Sequence, residues 1–125
     1  MKKDELLAKE LFNLYAIGKQ VIRYFNEIKT SFLSKRVEKI IMQYVEFCKM
    51  NKEQVSTTLK NLDINPGNTT NSMVQVITQN LQAMAAQKGY GKEVRRLGYT
   101  MSLNRLISYH KANIENLDFW NQGVV

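Results

Sequence analysis

SKRVEKIIMQYVEFCKMNKEQVSTTLKNL (residues 34–62) decides the fold class. Val37, Ile41, Tyr44, Phe47 or Cys48, Asn51, Val55, Leu59 and Leu62 recur three or four positions apart. That is the period of one face of an α-helix. Ser34 can cap the first turn, with Glu38 close by. At 1.5 Å per residue the segment spans about 40 Å, long for a globular helix. Such a length suits an elongated bundle.

The flanking sequence repeats the pattern. From about Lys3 to Ile28, Leu7, Leu11, Leu14, Gly18, Val21, Phe25 and Ile28 form a stripe that Thr30-Ser31 interrupts. After residue 62, Asp63-Ile64-Asn65-Pro66-Gly67-Asn68 is the clearest loop and holds the only proline. Ser72 and Gln75 predict a capping box for a third helix, from about Ser72 to Gln87. Its buried face would be Met73, Val76, Ile77, Leu81 and Met84, and Gly89-Tyr90-Gly91 would close it through a left-handed glycine cap. A fourth helix from about Lys92 to Trp120 carries Val94, Leu97, Met101, Leu103, Leu106, Ile107, His110, Ile114 and Leu117. Four amphipathic helices with short connections predict an all-α, antiparallel four-helix bundle. No linker or repeat divides residues 1–125, which read as one domain.

Composition supports this. With 125 residues and 44% apolar side chains, the chain can bury one core but not two. No stretch reaches the roughly 18 uncharged apolar residues that a membrane span needs. One proline and six glycines leave little turn chemistry for a sandwich or barrel. The lone Cys48 excludes an internal disulfide framework and a cysteine-rich zinc site. Met1-Lys2-Lys3-Asp4-Glu5 leads into a helix rather than a signal peptide's apolar run, so a reducing cytoplasm is the expected compartment.

Charge raises the chance of an anionic partner, since 18 Lys/Arg against 11 Asp/Glu leave +7. The excess is scattered. Its densest groups are Lys2-Lys3, Lys35-Arg36-Lys39 and Lys88-Lys92-Arg95-Arg96, without aromatic interleaving. Solvated helix faces account for most of it. Lys88, Lys92, Arg95 and Arg96 remain candidates for contact with an anion or nucleic acid.

A bundle holds metals on inward side chains, and a di-iron site wants a Glu on two helices and Glu-x-x-His on the other two. Here Glu10 sits at the edge of the first stripe and Glu46 off the second. The third helix has no Asp or Glu, and Ile107 stands three residues before His110. No metal-ligand set survives, so neither metal nor cofactor is expected. His110 lies between Ile107 and Ile114, which predicts a buried neutral imidazole bonded to a hydroxyl or a backbone carbonyl. Cys48 reads as a small buried hydrophobe and the methionines as core filling. Gly89-Tyr90-Gly91 lacks the context of a phosphate loop.

Leu14-Tyr15-Ala16-Ile17-Gly18-Lys19-Gln20 resembles the first-helix motif Leu-Tyr-x-Ala-Glu-x-Gln of a family of small bacterial ferritin-like stress proteins. Ser34 to Pro66 is similar to that family's second helix and loop without gaps, and the resemblance covers roughly Leu11 to Gln79. It implies a ferritin-like bundle. The family's first-helix glutamate falls on Gly18, and its second-helix histidine and glutamate fall on Tyr44 and Phe47. By that register the iron site is lost and refilled, with Gly18 facing Tyr44 or Phe47.

The expected function is that of a non-catalytic, stress-associated or structural protein rather than an enzyme. Surface aromatics (Tyr24, Phe32, Tyr90, Phe119, Trp120) point to a homodimer or another protein partner. An anion or nucleic-acid binder is the alternative. A di-iron oxidase with unrecognised ligands ranks last, and would need Glu10, Glu27 or Glu115 beside His110.

Overall fold

The computed structural model describes residues 2–87 and 89–122. Its elements are α1 (Lys3–Glu27), α2 (Lys35–Asn61), α3 (Ser72–Ala86) and α4 (Lys92–Gln122), with no strand among the described residues. None of these helices is long and apolar enough to cross a membrane.

Contacts between the helices set their directions. Asn13 of α1 bonds Asn113 of α4, and further along α1 the hydroxyl of Tyr24 lies 3.2 Å from that of Tyr99. α1 and α4 are therefore antiparallel. Asn71, which precedes α3, meets Tyr109, whereas Met84 near its end meets Arg95, so α3 is also antiparallel to α4. Gly18 packs on Cys48 and Lys52 while Leu7 and Leu11 share a hollow with Val55 and Thr58, which runs α2 against α1. Successive helices alternate in direction. A ferritin-like fold carries one long crossover, and none joins α2 to α3 here.

Local chemistry explains the boundaries. The Ser34 hydroxyl accepts the Val37 N–H at 3.3 Å and starts α2. At its other end the Ile64 N–H reaches the Leu59 carbonyl and the Asp63 N–H the Lys60 carbonyl, a Schellman closure. That motif puts Asp63 at φ 58°, where glycine is the unstrained choice. Asp63→Gly should therefore raise stability by about 1 kcal/mol, read as a higher urea midpoint at unchanged slope. A lower midpoint would show that the Asp63 side chain contributes more than the strain costs.

Two expected caps are replaced. The cap of α3 is Asn71, not Ser72: its side-chain oxygen accepts the Val74 N–H at 2.8 Å. Asn ranks level with Ser as a cap, and here it is also buried among partners. At the other end Gln87 is extended (φ −72°, ψ 102°), so α3 stops before the glycines. Arg95 supplies the missing donors, its guanidinium bonding the carbonyls of Met84 and Ala85. These carbonyls belong to the last turn, where a helix leaves acceptors free and favours a cation.

The core is formed by Leu11, Leu14, Ile17 and Val21 of α1, Ile41, Cys48, Val55 and Leu59 of α2, and Val74, Ile77 and Leu81 of α3. α4 adds Tyr99, Leu103 and Leu106. Its first half departs from the expected stripe, because Val94, Leu97 and Met101 are exposed. Extending inward from Leu103 by one turn reaches Tyr99, whose hydroxyl is satisfied by Tyr24. A buried phenol with a partner thus displaces the more apolar Met101 from the interior. Met73 and Val76 of α3 are exposed for the same reason of phase, with Val74 taking the inward position.

Candidate functional site

Tyr44 and Cys48 are one turn apart on α2 and project toward His110 of α4, which is completely buried. The Tyr44 hydroxyl is 2.9 Å from His110 Nδ1 and the Cys48 sulfur 3.7 Å from the same nitrogen. The Tyr44 and Phe47 rings meet the imidazole edge-on, with centroids 5.7 and 5.9 Å away. A cavity of about 220 Å³ lies beside it, lined by Tyr44, Phe47, Ile107, His110 and Lys111. The phenol and the thiol both approach Nδ1. Nε2 is buried and has no hydrogen-bond partner among the described residues. Asn51 Oδ1, three residues beyond Cys48, is likewise shielded and has no partner among the described residues.

Burial dictates the chemistry of this group. It pulls the His110 pKa down to about 4 and pushes the Cys48 thiol up to about 12, although the Tyr44 hydroxyl acts in the opposite direction on the thiol. Burial also raises Tyr44, as do its charge interaction and hydrogen bond with Cys48. A reactive cysteine needs a thiolate, and a base needs a pKa near the working pH. At neutral pH the thiol keeps its proton and the imidazole stays neutral. The trio has the residue types of a nucleophile–base pair, but with a thiol that resists ionisation and an imidazole that is a weak base.

The positions expected to form a refilled iron site do not come together. Gly18 is buried, but a Cβ there would meet Lys52 Cβ at 3.3 Å and the Cys48 carbonyl oxygen at 3.6 Å. It faces α2 at Cys48 and Lys52, rather than Tyr44 or Phe47. Tyr44 turns to His110, and Phe47 is 45% exposed. Glycine at 18 lets α1 and α2 approach closely, as a backbone contact requires. None of the three positions offers a free metal donor: Gly18 and Phe47 have none, and the Tyr44 hydroxyl is engaged. Glu27 pairs with Arg23 and Glu115 is exposed, while the hydrogen bonds of His110 go to Tyr44 and Cys48. Among the described residues no three His, Cys, Asp or Glu gather in metal-binding reach.

The basic candidates also separate. Arg95 is spent on the end of α3 and stacks on Phe32 at 4.8 Å, and Arg96 Nε donates to the Phe32 carbonyl at 2.7 Å. Lys92 is exposed and lines a surface hollow with Arg96 and Glu93, whose carboxylate opposes an anion. Lys88 lies outside the described residues.

Against protein-family models, curated proteins and solved structures, the chain finds no match. Function must come from the geometry.

One cluster escapes a search for apolar stripes. Asn71 donates to Asn13 Oδ1 at 2.6 Å and to the Tyr109 hydroxyl at 3.0 Å, while Gln20 bonds both its backbone N–H and its carbonyl. Asn113 extends the network to Asn13 and to the Tyr109 carbonyl. These amides tie α1, α3 and α4 together at the start of α3. Asn71 beside Ser72 was the available signal, because either residue can cap a helix.

Of the five aromatics expected at the surface, Tyr24 bonds Tyr99, Phe32 packs edge-on against Tyr99 at 5.3 Å, and Trp120 lies beneath the Lys3 ammonium. Tyr90 and Phe119 are exposed.

Proposed function

We propose that this chain is a non-catalytic helical bundle that acts through contacts with protein, as a structural or interaction component. The observation carrying this reading is the burial-neutralised trio of Tyr44, Cys48 and His110. It occupies the interior position where bundles hold their reaction centres, yet burial keeps its thiol protonated and makes its imidazole a weak base. Exposed apolar residues on α3 and α4 favour surface recognition as the activity. A role among stress-associated proteins rests on the resemblance over Leu11 to Gln79 alone, and a cytoplasmic setting on the lone reduced cysteine. The anion-binding alternative is weakened by the engagement of Arg95 and Arg96 with backbone carbonyls.

An anaerobic ferrous titration of the purified protein, followed by admission of air, tests this reading. The expected result is no stoichiometric iron and no protein-dependent oxidation. Tight binding near two irons per chain would make the protein an oxidase and overturn the reading.

A further inference from the structure

α3 is the short helix of the bundle, 15 residues against 25, 27 and 31 for α1, α2 and α4. At 1.5 Å per residue it is about 24 Å shorter than α4. Its cap, Asn71, bonds Asn13 and Tyr109, and Met84 near its other end meets Arg95. The last turns of α4 therefore have no α3 beside them. There α1, α2 and α4 enclose a hollow of about 450 Å³. Leu11, Val55, Ile114 and Leu117 give it apolar walls and Trp120 an aromatic one. Asn51, Thr58 and Asp118 belong to the same lining, and Gln54 adds a neutral amide. Among the described residues no Lys, Arg or His lines it. In a chain of +7 that is a local exception.

We infer that this hollow binds a small primary amine with an apolar body, held as its ammonium ion. Unmatched acceptors select that occupant. Asn51 Oδ1 is shielded from water and has no partner among the described residues, a deficit that a donor entering the hollow relieves. The terminal torsion of an asparagine is soft, so a modest turn brings Oδ1 to that donor. The Thr58 hydroxyl gives its proton to the Gln54 carbonyl at 3.0 Å, which leaves its oxygen lone pairs as acceptors. Asp118 brings a carboxylate, which opposes an anionic ligand and attracts a cationic one. An ammonium carries three donors and no acceptor, the complement of this set. The apolar walls take up a hydrocarbon or single-ring body. Trp120 is suited to a cation as well, since the Lys3 ammonium sits 5.0 Å from its ring centroid. Room is ample, because a cavity of about 150 Å³ accepts benzene. The inference is separate from the non-catalytic reading, which the iron titration decides.

Trp120 is the only tryptophan, so its emission reports on the hollow without a label. The full chain is titrated at constant ionic strength with phenethylamine, phenethyl alcohol and hydrocinnamate, probes that share a ring and differ in head group. The amine should shift the emission saturably with a Kd of about 1 mM, as a ligand of this size allows. The alcohol should bind about tenfold more weakly, and the carboxylate should leave the emission unchanged. Asp118→Asn, at an exposed position, should lower the amine to the affinity of the alcohol. Asn51→Leu, which removes the shielded acceptor, should weaken the amine by about tenfold as well. Met73→Ser, exposed on α3 and outside the hollow, should leave every affinity as it was. Helical circular dichroism verifies each fold, and Asn51→Ala replaces Asn51→Leu if the latter loses helicity. No saturable shift up to about 20 mM amine, well above the expected Kd, would overturn the inference. So would equal affinities for the three probes, or an amine affinity that ignores both Asp118 and Asn51.

Discussion

Acidification from pH 7 to pH 4 should destabilise this protein by about 3 kcal/mol through His110 alone. The imidazole titrates near 6.5 in an unfolded chain and is pulled down to about 4 by burial in the folded one. Between these values the unfolded state binds the proton and the folded state does not. Stability is therefore full above pH 6.5 and falls as pH drops toward 4, levelling below it as both states become protonated. The measurement is the urea midpoint at several pH values for the wild type and for His110→Gln, which keeps a polar group but cannot titrate. The difference between the two should shrink or grow along that window by about 3 kcal/mol in favour of the variant at low pH. Parallel pH profiles would mean that His110 is not held neutral by its surroundings.

Replacing Asn71 by alanine should cost about 3 kcal/mol. A lost N-cap accounts for roughly 1 kcal/mol. The remainder comes from the buried network, because Asn13 Oδ1 and the Tyr109 hydroxyl lose the donor that reaches both. Asn71→Asp should lie between the two, keeping an acceptor for the Val74 N–H but supplying no amide donor. Chemical unfolding measures the loss. A double-mutant cycle with Asn13→Ala should give a coupling of about 1 kcal/mol, since the two side chains share one hydrogen bond. A loss near 1 kcal/mol for Asn71→Ala with no coupling would reduce Asn71 to a simple cap.

Much of the architecture was legible because it follows from period and caps. The α2 stripe and Ser34 located that helix to within one residue of its observed Lys35–Asn61, and the alternating bundle follows from short connections. What the sequence concealed is polar pairing across helices. Tyr99 looks less apolar than Met101, so periodicity assigned Met101 to the core. Only the facing hydroxyl of Tyr24 makes the phenol the better buried residue. Arg95 and Arg96 look like a basic patch until the carbonyls they cap are in view. Gly18 and Tyr44 were each expected to be inside, but a one-turn difference in the packing of α1 on α2 gave them separate partners. Burial is periodic along one chain segment; the choice of hydrogen-bond partner is a property of the whole fold.

Nitrogen-detected NMR titration of the imidazole reads out whether the interior trio is closed and neutral. His110 is the only histidine, so its signals need no assignment by mutation. The imidazole should stay neutral until the pH approaches 4. A midpoint at or above 6 would show an imidazole open to protonation and return His110 to the groups available for chemistry.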